Sequence, residues 1–176
     1  LRYFAEHAPR MREKATEPYR VGLIASSGAL RLRAYGIEPP TYDFAKSIEI
    51  DHWFLDPKED VRSSYRLEVA LSEFELQGLE LDYVGLCWGG DFVMRGNCWV
   101  VRKFSGSSWT EVQPSLVATS DSKFQRTVNK YRVLLTRFRK GMCIFDPPGS
   151  DDATDLRADM DGVYETLLAS GVKCID

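Results

Sequence analysis

The sequence predicts an α/β domain in three layers: a mainly parallel β-sheet covered on both faces, with an antiparallel β-hairpin inserted. Three observations point there. Short apolar runs of β-branched character alternate with helical segments, the pattern of strands buried on both sides. The 176 residues are 44% apolar and 12% aromatic, enough for one core at a length near the usual roughly 100–200 residues of one domain. Between residues 91 and 109 the spacing changes to strict alternation (Cys98, Val100, Arg102 and Phe104 against Trp99, Val101 and Lys103), and Ser105-Gly106-Ser107-Ser108 then supplies a turn.

The elements follow in order. A leading helix is expected within 1–19, entered at once at residue 3, and the absence of an initiator Met suggests a piece of a longer protein. Strands are predicted at 20–25, 65–74, 83–88, 141–146 and 172–175. A short helix at 28–35 is closed by Gly36. The strongest helix spans 122–139: Ser122 and Gln125 form a capping box, and Phe124, Val128, Tyr131, Leu135 and Phe138 recur every three or four positions. Gly141 is expected to cap its end. Another helix, 160–170, carries Val163, Leu167 and Leu168 and stops at Gly171. The insertion occupies 91–118, and 1–176 reads as one domain.

Composition excludes several classes. Net charge is −3 with 28% of residues charged, which argues against disorder, collagen-like repeats and coiled coils. No apolar run approaches the ~18–20 residues that cross a bilayer, and no leader opens the chain, so no membrane partner and a cytoplasmic location are expected. Cys87, Cys98, Cys143 and Cys174 lack zinc-ligand spacing and read as reduced thiols. His7 and His52 stand alone, which argues against histidine-based catalysis and leaves no metal site.

Charge is unevenly placed. Residues 122–140 hold Lys123, Arg126, Lys130, Arg132, Arg137, Arg139 and Lys140 and no acid, whereas the segment from 141 onward is strongly acidic. Such a cation suits phosphate, by direct attraction and by counterion release from a polyanion; a solvated face balanced by the acidic tail is the alternative. An EF-hand at Asp159-Met160-Asp161-Gly162 fails on register, since Arg157 and Leu168 fall where carboxylates are needed. Glu80, Asp82 and Asp91 could together hold a divalent cation beside a phosphate, which leaves a metal-dependent nuclease as a further alternative.

Two segments carry more than composition. Ser72-Glu73-Phe74-Glu75-Leu76-Gln77-Gly78-Leu79-Glu80-Leu81-Asp82 leads into the strand from Tyr83, and Asn129-Lys130-Tyr131-Arg132-Val133-Leu134-Leu135-Thr136-Arg137-Phe138-Arg139-Lys140-Gly141 leads into Met142-Cys143-Ile144-Phe145. In this order they resemble motifs V and VI of superfamily 1 helicases. Val21 to Leu32, His52-Trp53-Phe54-Leu55, Asp60 to Tyr65 and Phe104 to Trp109 further resemble the C-terminal half of the Schlafen-related DNA/RNA helicase-like family.

The resemblance implies a RecA-like (P-loop NTPase-type) fold, the second motor domain of an ATP-driven helicase or translocase. An N-terminal RecA-like domain of the same parent would bring the phosphate loop and most of the contacts to ATP and Mg2+, and DNA or RNA would be the partner. By the motif match Arg137 is the arginine finger, and Gln77, Gly78 and Glu80 form the nucleotide-binding turn, Glu80 accepting from the ribose. Ser72 stands where related enzymes touch the nucleic-acid backbone, and Ser26, Ser27 and Arg31, at the end of a strand where ligands usually bind in such sheets, are the further candidate nucleic-acid contacts. The chain departs from the family at Phe138, where Ala usually follows the finger, at Phe74 and Leu76 within the turn, and at Gly89-Gly90 after the strand. A non-catalytic nucleic-acid or protein interaction module built on the basic helix is the alternative from another class.

Overall fold

The computed structural model describes residues 19–39, 41, 43, 46–112, 122–151 and 157–175. The expected leading helix lies outside the described residues, as do residues 113–118 of the insertion. Four parallel strands form the main sheet in the order β2-β1-β3-β7: β1 Val21–Ala25, β2 Ala70–Leu71, β3 Leu81–Cys87 and β7 Phe138–Phe145. A separate antiparallel meander joins β4 Phe92–Arg95, β5 Cys98–Ser105 and β6 Ser108–Glu111. The predicted hairpin is therefore present with a third strand. The helices are α1 Ile50–Leu55, α2 Lys123–Leu134 and α3 Arg157–Ala169, with a 3-10 turn at Leu30–Tyr35. None among the described residues is long and apolar enough to cross a membrane.

Both sheet faces are packed, as the apolar runs require. Val21, Leu23 and Ala25 of β1 and Cys87 of β3 join Ala29, Leu32 and Ile37 under the 3-10 turn. Ile24, Val84 and Leu86 point the other way, into a larger core with Trp53 of α1, Tyr131 and Leu134 of α2, Met160 and Val163 of α3, and the meander. Period-two alternation along fully buried strands thus yields two cores from one sheet. Trp88 holds the second core together: its ring lies 4.5 Å from that of Tyr131 and 5.9 Å from that of Trp99, which stacks on Phe92 at 4.3 Å. Burial pushes the Cys87 thiol up to about 12, which keeps it protonated and inert.

Several elements differ from expectation. The strand predicted at 65–74 is instead a 3-10 turn at Ser64–Arg66, a left-handed Leu67 (φ 57°) and only two residues of β2. The long helix stops at Leu134 rather than 139, because Leu81 pairs with Phe138 and its N–H takes the Arg137 carbonyl, drawing 138–140 into the sheet. Gly141 therefore lies inside β7 and caps nothing, and Arg139 and Lys140 belong to a strand. The strand predicted at 172–175 does not form. Gly171 adopts φ 93°, and the N–H groups of Gly171 and Val172 return to the carbonyls of Leu168 and Leu167, a Schellman end that turns the tail back along α3.

α3 is fixed against the meander by charge and by close approach. Asp159, buried, takes Arg95 and Arg102, each at 2.6 Å. Burial alone would raise its carboxyl, but the two guanidiniums hold it below the ordinary value. A Cβ on Gly162 would sit 2.4 Å from the Met94 carbonyl oxygen. Gly162→Ala should therefore lower stability by about 1–3 kcal/mol in denaturant titration, although Ala is the better helix former. A stabilised variant would show that helix and strand do not meet there.

Candidate functional site

Where the chain runs from β1 to β2 on one side and β3 lies on the other, the parallel order reverses, and crevices at the carboxyl ends of such strands are where open α/β sheets bind ligands. Ser26 and Ser27 follow β1, Glu73 follows β2 and Asp91 follows β3. The Ser26 hydroxyl donates to Asp91 at 2.5 Å, and the Tyr131 hydroxyl donates to the other Asp91 oxygen at 2.8 Å. Ser27 gives Glu73 both its N–H (2.9 Å) and its hydroxyl (2.6 Å). Lys130 of α2 reaches into the group, donating to the Ser27 hydroxyl at 3.0 Å and lying 3.4 Å from Glu73 and 3.8 Å from Asp91. Burial raises the Asp91 carboxyl above its ordinary value, opposed chiefly by the Lys130 charge, and burial beside Asp91 raises the Tyr131 phenol. Gly28 is required here: a Cβ would lie 2.3 Å from an Asp91 oxygen.

Beside this network two concavities open along α2. The first, of about 370 Å³, lies at the strand ends, with Ser27, Asp91, Phe104, Lys123 and Arg126 among its walls. The second, of about 460 Å³, is bounded by Gln77, Gly78, Arg126, Lys130, Val133 and Arg137. Phe74, Arg126 and Lys130 belong to both.

The turn and the arginine meet for local reasons. The Ser72 hydroxyl and N–H both go to Glu75, the Leu76 N–H returns to the Ser72 carbonyl, and Leu76 is buried, so 72–79 winds tightly. Gly78 takes φ 81°, open only to a residue without a Cβ penalty, and nothing lies within 4 Å of where a Cβ would be. Arg137 lies in the short connection between α2 and β7; its Nε donates to the Val133 carbonyl at 3.2 Å and its own carbonyl is taken by Leu81, just past the turn. The side chain is half-buried and lines the concavity.

Of the residues singled out in the sequence, Arg137, Gln77 and Gly78 are brought to one wall, 59 or more positions apart in the chain. Glu80 is exposed and lies outside that lining. Ser27 faces the strand-end cavity, while Ser26 and Ser72 are fully buried and engaged with Asp91 and Glu75. Arg31 lies over the Phe104 ring, 5.7 Å from its centroid. The nuclease trio is not assembled: Asp82 accepts the Arg20 N–H at 2.8 Å, Asp91 is held by Ser26 and Tyr131, and no group of three or more metal-ligating side chains exists among the described residues. Glu73 and Tyr131 escaped sequence reading as site residues, and Arg126 and Lys130 were read only as members of a phosphate-binding basic helix. Only the Arg126, Lys130, Val133, Arg137 spacing, which places four side chains on one side of a helix and its continuation, could have signalled the shared wall.

The described donors suit a polyphosphate: two arginines and a lysine with an open glycine turn opposite. They do not suit a magnesium ion, for which the described residues offer no carboxylate cluster. No curated protein and no solved structure matches the chain. The family model described as "Schlafen group 3, DNA/RNA helicase domain" matches residues 4–148, a span that contains both motif segments, the meander and every residue of the two concavities. The chain belongs to the Schlafen group 3 DNA/RNA helicase domain family.

Proposed function

We propose that this chain is the second RecA-like lobe of a superfamily 1 type, ATP-driven nucleic-acid motor whose first lobe lies elsewhere in its parent protein. The observation that carries it is the convergence of Arg137 with the Gln77-Gly78 turn on one basic concavity. Cleaving a γ-phosphate concentrates negative charge on the transferred group and the leaving oxygen. A guanidinium presented from a second lobe lowers that barrier, typically by a factor on the order of 10³–10⁵. Arg137 supplies it here, Arg126 and Lys130 add cationic field, and the turn contributes backbone groups beside Gly78. Glu80, exposed next to the turn, reaches the ribose only when the lobes close. ATP would be held between the lobes, and its magnesium belongs to the other one. Closure and reopening of such lobes shift grip along a DNA or RNA strand. The free thiols fit a cytoplasmic setting.

The test is ATP hydrolysis by the intact parent with and without single-stranded DNA or RNA. Stimulation by the strand is the expected result. A parent that hydrolyses no nucleotide under any strand would leave the interaction-module alternative, with the basic wall of α2 as its binding face.

A further inference from the structure

Phe74 is 62% exposed, although its neighbours in the turn point inward. Glu73 turns to Ser27 and Lys130, Leu76 is fully buried, and the Phe74 N–H is held by the Ser72 hydroxyl at 3.2 Å. The winding of 72–79 thus fixes the ring outward, where a polar residue would cost nothing. The ring stands at the lip shared by both concavities. Around the strand-end cavity the exposed side chains are cationic: Lys103 from β5, and Lys123 and Arg126 from α2. Among the described residues of its lining the one carboxylate, Asp91, is buried and matched by Lys130. A second ring, Phe104, lines the same cavity with Arg31 over one side.

We propose that this cavity takes single-stranded nucleic acid, one unstacked base resting on Phe74 while Lys103, Lys123 and Arg126 meet the flanking phosphates. The proposal rests on the motor reading for the presence of a nucleic-acid ligand; the place and mode of binding rest on the geometry. Every base has a π-face, so a held aromatic ring binds strands with little regard to sequence, and a base already stacked in a duplex has no face to offer. Lysine and arginine neutralise phosphate and make the affinity salt-dependent. A cavity of about 370 Å³ falls in the range of small-ligand sites, which suits a single nucleotide and no duplex.

The experiment uses the intact parent without nucleotide, fluorescently labelled oligo-dT and oligo-U, and a blunt duplex. Single strands should bind in preference to the duplex. Phe74→Ala should weaken strand binding by about 5- to 100-fold, and Phe74→Trp should restore it. Lys103→Ala and Lys123→Ala should each lower the salt slope by about one. Strands carrying 5-iodouracil should photo-crosslink at position 74. Unchanged affinity in Phe74→Ala, equal affinity for the duplex, or crosslinks confined to other residues would each overturn the proposal. Strand-stimulated ATP hydrolysis by the wild-type parent is read separately: if it persists while Phe74 proves indifferent, the motor reading stands and only the cavity assignment fails.

Discussion

Arg137→Ala in the intact parent is expected to lower kcat for ATP by a factor on the order of 10³–10⁵ while leaving ATP affinity largely unchanged. The backbone at this position is pinned from both sides, its N–H by the Leu134 carbonyl of α2 and its carbonyl by the Leu81 N–H of β3, and the side-chain Nε returns to the Val133 carbonyl. The guanidinium is therefore delivered to the concavity from the short connection between α2 and β7, held at both ends. Only the side chain's charge and fork are lost in the variant, since Arg137 is half-buried and outside the two cores. Arg137→Lys keeps the charge without the planar fork and should recover a minor part of the rate. A drop in ATP affinity equal to the drop in rate would mean that the residue holds the ground state instead.

The second large effect concerns Lys130. Its ammonium is the cation nearest Glu73 and Asp91, which are 8% and 3% exposed. Lys130→Met keeps the stem's bulk and leaves two buried carboxylates with only hydroxyl and amide donors. Removing one partner from such a group costs about 3–5 kcal/mol. The cost depends on pH, and its sign follows from Asp91. Burial already lifts that carboxyl above its ordinary value, and Lys130 is the main influence holding it down. Without the lysine it rises further. A carboxyl raised in the folded state favours folding most below its unfolded value of about 3.9 and loses that advantage as pH climbs through the folded value. The variant should therefore be most destabilised near neutrality and should approach the wild type on acidification. Urea titrations across that range measure it. A cost independent of pH would show that Lys130 acts by packing alone.

What the sequence made legible followed from local regularities. Val21–Ala25 is an unbroken apolar run because both faces of β1 are covered, and residues 83–87 of β3 read the same way. The hairpin announced itself by alternation and by its turn at Gly106, which takes positive φ, whereas the turn at Gly96 and the strand before it went unread. Misread segments were those where a long-range partner overrode local pattern. Leu135 and Phe138 continue the helical spacing of α2, yet pairing of Phe138 with Leu81 converts the chain to strand. β2 is two residues long because it needs only to bridge Leu23 and Ile24, which no window of sequence can show. The same distance effect hid half the site. Gln77, Gly78 and Arg137 were legible as motif residues, but Ser27, Glu73 and Lys130 meet across separations of 46 and 103 positions. Asp91, considered as a metal ligand, serves instead as the buried acceptor that ties β1 to α2.

The role proposed for Arg137 is to meet charge that develops during phosphoryl transfer, and a transition-state mimic reads that charge without turnover. Binding of ADP with aluminium fluoride to the intact parent should weaken by about 100-fold or more on Arg137→Ala, while ATP binding moves little. Equal binding of the mimic by both proteins would contradict it.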